Sequence, residues 1–191
     1  RYLSSRGLNG RNFQSLRFFD HLRYSEKSKD GSSWEEKYYE GILCRIDSSE
    51  EECFNILRIY VDNGQKAKVK APKKVFGKEI SGGFIKLGEI NSNDGKLGLA
   101  EGVETAMSAG ILHGMPVWSV ISAFNFKNFV PPEGVKELII FADNDSNFVG
   151  QKEAFTAASV LAQKYRSLKI SVVIPPEVNS DWNDVLLSSK R

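Results

Sequence analysis

Three stretches of this 191-residue chain place carboxylates where apolar runs stop. LGLA runs into Glu101-Gly102-Val103-Glu104, LIIFA runs into Asp143-Asn144-Asp145, and SVVIPP leads to Asp181 and Asp184. Carboxylates gathered in one place repel and raise one another's pKa values, and a hard cation relieves the strain. Mg²⁺ prefers oxygen ligands, commonly one or two carboxylates with several waters. Two such ions can clamp the attacking and leaving oxygens of a phosphoryl transfer. Each stretch also has a plainer reading, because Asp, Asn and Ser cap helix N-termini. No one turn accounts for all three, so their order and spacing point to a shared site.

A second candidate is basic. Residues 63–78, NGQKAKVKAPKKVFGK, hold six lysines and no acid. Read as a strand, Lys66, Lys68 and Lys70 would share one face, about 6–7 Å apart. That is close to the phosphate spacing along one nucleic-acid strand, and Lys73, Lys74 and Lys78 extend the patch. Lysines on an edge strand also guard against aggregation. Beside an acidic metal-site candidate, binding of a nucleic-acid strand or a nucleoside triphosphate is the stronger reading.

The elements that must position these residues fall into three parts. Residues 1–40 read as a polar, partly helical N-terminal segment, with RYLSSRGL resembling a helix end stopped by Gly7. Residues 41–96 read as a basic, β-rich subdomain of short runs, GILCRI, FNILRIYVD, KAKVKAPKKV and GFIKLGE, with Asp62-Asn63-Gly64 as a hairpin turn. From residue 97 strand and helix alternate: KLGLA, a helix over 103–113, PVWSVIS, ELIIFA, a helix over 150–166, KISVVIPP and a last helix near Asp181. Such alternation predicts an α/β fold, a parallel sheet flanked by helices, with ligands at the carboxyl ends of its strands. Trp118 and Phe141 are expected in the core, while Phe124, Phe126, Phe129 and Trp182 are open to either a core or a stacking role.

Composition narrows the classes. Net charge is +2, with Lys/Arg outnumbering Asp/Glu 18 to 14 in residues 1–96 and falling behind 8 to 10 in residues 97–191. No apolar run approaches a membrane span of about 20 residues, and Cys44 and Cys53 form neither a CxxC pair nor a cluster with His21 and His113. These features argue against a membrane protein and against a zinc site, and fit a reducing cytoplasm. No Walker loop, GxSxG or HExxH is present. The first residue is Arg1, so the chain is expected to begin inside a longer protein.

LAEGVET, FADNDSNFVGQKEA and IPPEVNSDWNDVL, in this order, resemble the Toprim domain, and more closely that of phage- and plasmid-encoded primases and primase-helicases. The likeness covers residues 97–191; RYLSSRGL and residues 72–89 also resemble segments of these primases. It implies that Glu101, Asp143 and Asp145 are catalytic, and that these three with Asp181 hold Mg²⁺ or Mn²⁺. Lys66, Lys68, Lys70, Lys73 and Lys74 are the expected nucleic-acid or nucleotide contacts. The function implied is a DNA primase core making short RNA primers on single-stranded DNA from ribonucleoside triphosphates, together with a helicase domain or partner. A Toprim nuclease and a non-catalytic nucleic-acid-binding module are the alternatives.

Overall fold

A computed structural model describes residues 1–9, 12–53, 55–77 and 79–190. Phe54 and Lys78, expected in the FNILRIYVD strand run and the basic patch, lie outside the described residues. A short helix α1 (Tyr2–Ser5) precedes an antiparallel sheet of β1 (Leu16–Lys27), β2 (Trp34–Ile46), β3 (Asn55–Asp62), β4 (Gln65–Lys66) and β5 (Lys73–Val75). Its order is β1-β2-β3-β4, and β5 also pairs with β3. As the Asp-Asn-Gly signal predicts, β3 and β4 form a tight hairpin whose Asn63 and Gly64 both have positive φ, 48° and 73°.

The second half is a parallel sheet of β6 (Lys96–Ala100), β7 (Val117–Ser119), β8 (Glu137–Phe141) and β9 (Lys169–Val173), in the order β7-β6-β8-β9. Helices α2 (Val103–His113) and α4 (Trp182–Ser188) cover one face with the antiparallel sheet; α3 (Val149–Lys164) and a 3-10 turn (Ala123–Asn128) cover the other. Strand alternation explains the layers: Leu97, Leu99, Leu138 and Ile140 point to α3, whereas Ala100 and Phe141 point to the core shared with Ile42, Cys44, Ile46 and Ile59. The sequence prediction of a parallel α/β sheet with a β-rich basic unit ahead of it matches this architecture.

Three local expectations need correction. Strands begin at Leu16, inside the segment read as polar and partly helical, because β1 and β2 extend past the reach of β3, which pairs only with Glu40–Ile46. Out there Leu22 and Tyr24 turn one face into a small cluster with Tyr60 and Ala67, and the rest of the ribbon is half-buried or exposed, so the sequence carries only a short alternation. GFIKLGE is not a strand: it makes two isolated bridges, Phe84 to Asp47 and Ile85 to Ser119, and so stitches one sheet to the other. The lysine segment is not one strand either. Tyr60 accepts from Ala67 N at 3.0 Å and donates to Pro72 O at 2.8 Å, so residues 67–72 loop out between β4 and β5.

Candidate metal and nucleotide site

The three acidic stretches meet at one sheet edge. Because β6, β8 and β9 are parallel neighbours, Glu101, Asp143 and Asp145, and the loop leading to Asp181 all leave the sheet on the same side. The loops are tied together by their own polar groups. Asn144 N donates to Ser180 O at 3.0 Å, Asn179 N donates to Asn144 O at 2.6 Å, and the Asn144 side chain donates to Pro175 O at 2.9 Å. Gln151, from the first turn of α3, donates to both Asn144 Oδ1 and Asp145 O. Asn144 is therefore the spacer that braces the loop while Asp143 and Asp145 flank it. Gly150 permits the close approach of α3: a Cβ there would stand 3.1 Å from Asp145 Oδ2 and 3.2 Å from Asp143 O.

Asp143 is the electrostatic centre. Burial, followed by repulsion from Asp181, Glu101 and Asp145, pushes its carboxyl up to about 7, against an opposing pull from Lys73. Its Oδ1 is buried and has no hydrogen-bond partner. Burial also raises Glu101, with Lys73 lowering it and Asp145 adding to the rise. A buried, unpartnered carboxylate oxygen among like charges is what a hard cation relieves. Among the described residues, no group of three His, Cys, Asp or Glu side chains is already gathered as a metal cage. The donor set still fits Mg²⁺ or Mn²⁺, since Mg²⁺ commonly takes one or two carboxylates and fills its shell with water and substrate oxygens. Asp181 also does what the plainer reading predicts: its Oδ1 caps α4, accepting from Asn183 N at 2.7 Å and Asp184 N at 2.9 Å, and Asp184 completes the capping box. Asp184 itself is exposed.

The lysines separate into three groups. Lys66 and Lys73 turn inward to one carboxylate, Glu104, at 3.2 Å and 2.9 Å. Lys74 lies 3.8 Å from the Tyr24 ring centroid and donates to Ser25 O at 2.6 Å, so it belongs to the fabric of the sheet. Lys68 and Lys70 are exposed on the loop. The evenly spaced, one-faced stripe expected from the sequence does not form.

Glu104, which the sequence leaves open between an acid supporting the site from behind and one favoured at a helix start, neighbours the candidate site. It is only 4% exposed. Beyond the two lysines, its Oε1 accepts from the Tyr2 hydroxyl. Burial would raise its carboxyl, but Lys73 and Lys66 outweigh that and hold it well below the usual range. Packing explains the demand for partners: α2 is buried from Val103 through Ala109, and an acid inside such a run must be paired. Of the aromatic residues, Phe126, Phe129, Trp118 and Phe141 are core, and Phe124 is exposed. Trp182 plugs the core beneath the acidic edge, its indole donating to Ala142 O at 3.2 Å and its ring meeting Phe141 edge-on.

Parallel strands ending in these acids, with a separate antiparallel sheet delivering lysines beside them, have a known counterpart. Residues 96–191 match the Toprim domain family, and the chain belongs to it. Residues 1–87 match a domain family of unknown function, DUF7146. The solved structures that resemble the whole chain are DNA primase catalytic domains. A primase domain from Pseudomonas aeruginosa superposes with a TM-score of 0.66 at 13% identity, covering 98% of this chain and 66% of that one. The DnaG primase catalytic domain bound to ssDNA gives 0.64 at 11% identity, covering 98% and 68%. The primase fragment of the bacteriophage T7 primase-helicase gives 0.53 at 18%, covering 87% and 62%. The chain thus spans about two thirds of the length of the primase domains it resembles, and at these identities the likeness is one of fold. No curated protein matches it by sequence.

Proposed function

We propose that this chain is a metal-dependent primase core that joins ribonucleotides into short RNA primers on a single-stranded DNA template. The observation that carries the reading is Asp143: a carboxylate with a buried, unpartnered oxygen, crowded by Asp181, Glu101 and Asp145 and lying within the field of Lys73. Asp143 and Asp145 would hold Mg²⁺ or Mn²⁺, with Glu101 and Asp181 at its border. The ion, when bound, would neutralise charge developing on the reacting phosphate.

The chain's own residues supply the rest. Lys73 and Lys66 offer ammonium donors to triphosphate oxygens beside the acidic edge. Glu101, raised chiefly by burial, is placed to accept the proton of the attacking 3′ hydroxyl as that oxygen bonds the α-phosphate and pyrophosphate departs. Exposed Lys68 and Lys70 contact template phosphates. Among the described residues no helix is long and apolar enough to cross a membrane, and the reading places the protein in the cytoplasm beside a replicative helicase domain or partner.

The test is template-dependent incorporation of labelled ribonucleotides. Primers of defined length that vanish in Asp143→Ala support the reading. Metal-dependent DNA cleavage without nucleotide addition would replace it with a nuclease, and DNA binding with neither reaction would make the chain a binding module.

A further inference from the structure

Glu104 lies outside the carboxylates assigned to the cation, and its role follows from how its two oxygens are divided. Oε1 takes the Tyr2 hydroxyl and Lys66, and Oε2 takes Lys73. The carboxylate cannot turn without losing a partner. Tyr2 is itself fixed, because α1 is anchored by Ser5 Oγ donating to Gly64 O at 3.0 Å, and the adjoining Arg6 carbonyl accepts from Asn183 Nδ2 at 2.8 Å. The Lys73 ammonium thus rests in a defined place, close to the acidic edge. A Cβ on Gly102 would stand 3.5 Å from it, and Gly102 directly follows Glu101.

We propose that Glu104 is a positioning residue whose fixed charge holds the Lys73 ammonium off Glu101 and Asp143, leaving the acidic edge free for a divalent cation and the ammonium free for phosphate. The inference rests on the cation-site reading above. A lysine carries a compact charge on a flexible four-carbon stem, so it follows the strongest anion within reach. Lys73 already senses both acids of the edge: it opposes the rise of Glu101 and of Asp143. With Glu104 neutralised, those two become its nearest unsatisfied anions. An ammonium closing onto them would relieve the same repulsion that the metal relieves, and the two would compete. Glu104 wins in the native arrangement because it is buried, ionised and fed by two further donors. A purely structural ion pair would share this geometry, but would not make metal affinity depend on the identity of residue 73.

The experiment is thermal stabilisation of the 191-residue chain by MgCl₂ and MnCl₂, read as the midpoint ion concentration. Glu104→Gln is expected to raise the midpoint severalfold, and Glu104→Gln with Lys73→Met to return it to the wild-type value or below. Tyr2→Phe, which loosens Oε1 and keeps the charge, is expected to raise it by less; this arm carries the test should Glu104→Gln not fold. An unchanged midpoint in Glu104→Gln, or in Tyr2→Phe where it stands alone, overturns the proposal. So does a double variant as weak as Glu104→Gln. A wild-type chain that neither ion stabilises fails the cation-site reading itself, a result distinct from an ion response that Glu104 leaves untouched.

Discussion

Replacing Asp143 with Asn should stabilise the metal-free protein while destroying its response to metal. The Asp143 carboxyl is pushed up to about 7 by burial and by Asp181, Glu101 and Asp145. Because the folded pKa is raised above the unfolded one, the folded state favours the protonated form. The penalty for carrying the charge grows as pH rises from the ordinary Asp range and is complete above the folded pKa. Taken at face value, a displacement of that size corresponds to about 4 kcal/mol. The site is partly open to water and its carboxylates share the repulsion, which screens the penalty to about 1–2 kcal/mol. Asn has nearly the same shape, carries no charge, and can donate to the neighbouring carboxylates. At pH 8 with a chelator, Asp143→Asn should therefore melt about 2–8 °C above wild type in a chain of this size. The gap should close by pH 5, where wild-type Asp143 is protonated. Adding Mg²⁺ should raise the wild-type melting temperature and leave the variant nearly unmoved. Differential scanning fluorimetry across pH, with and without the ion, gives all three comparisons. A variant no more stable than wild type at pH 8, or a gap that persists at pH 5, would refute the electrostatic account of the site.

Further outcomes follow from single contacts. Asp181→Asn should keep α4 stable, since Asn caps about as well as Asp, yet lower metal-dependent activity; Asp181→Ala should lose activity and also about 1 kcal/mol of stability in denaturant titrations. Gly150→Ala should push the Asp143–Asp145 loop by a few tenths of an ångström, with a stability cost of about 1–3 kcal/mol and a clear loss of turnover in a primer-extension assay. Changing exposed Lys68 and Lys70 together to Gln should reduce the logarithmic salt slope of single-stranded DNA binding by about 1.4, measured by fluorescence anisotropy. Lys74→Met should instead cost stability with that slope unchanged, because its ammonium is spent on Tyr24 and Ser25.

The acidic edge was legible because acids recur at three strand ends in order, although each stretch alone also reads as a helix cap. The apolar runs before Glu101 and Asp143 alternate with helices, and that alternation predicts parallel neighbours whose ends converge. Parallel pairing of β6, β8 and β9 then turns three separate turns into one site. The lysine segment misled for a physical reason. Its alternation is that of a strand, but Ala67 is buried against the sheet and Tyr60 takes its partners from both sides of a loop, so the chain detours between β4 and β5. Pairing of this kind depends on β3, which the local pattern does not contain. Glu104 was obscured by long range: its partners are Tyr2, Lys66 and Lys73, and only the packing of α1 and the antiparallel sheet against α2 brings them together. The β1–β2 ribbon was missed because its buried alternation is as short as Leu22 and Tyr24, and the residues that cover them, Tyr60 and Ala67, are distant in sequence.

The central claim is that the strand-end carboxylates hold a divalent cation, and anomalous diffraction from a crystal soaked in Mn²⁺ tests it most directly. The account predicts a peak within direct-ligand distance of Asp143 and at least one of Glu101, Asp145 and Asp181, with Lys73 still on Glu104. A well-occupied peak elsewhere in the molecule, with this edge bare, would contradict it.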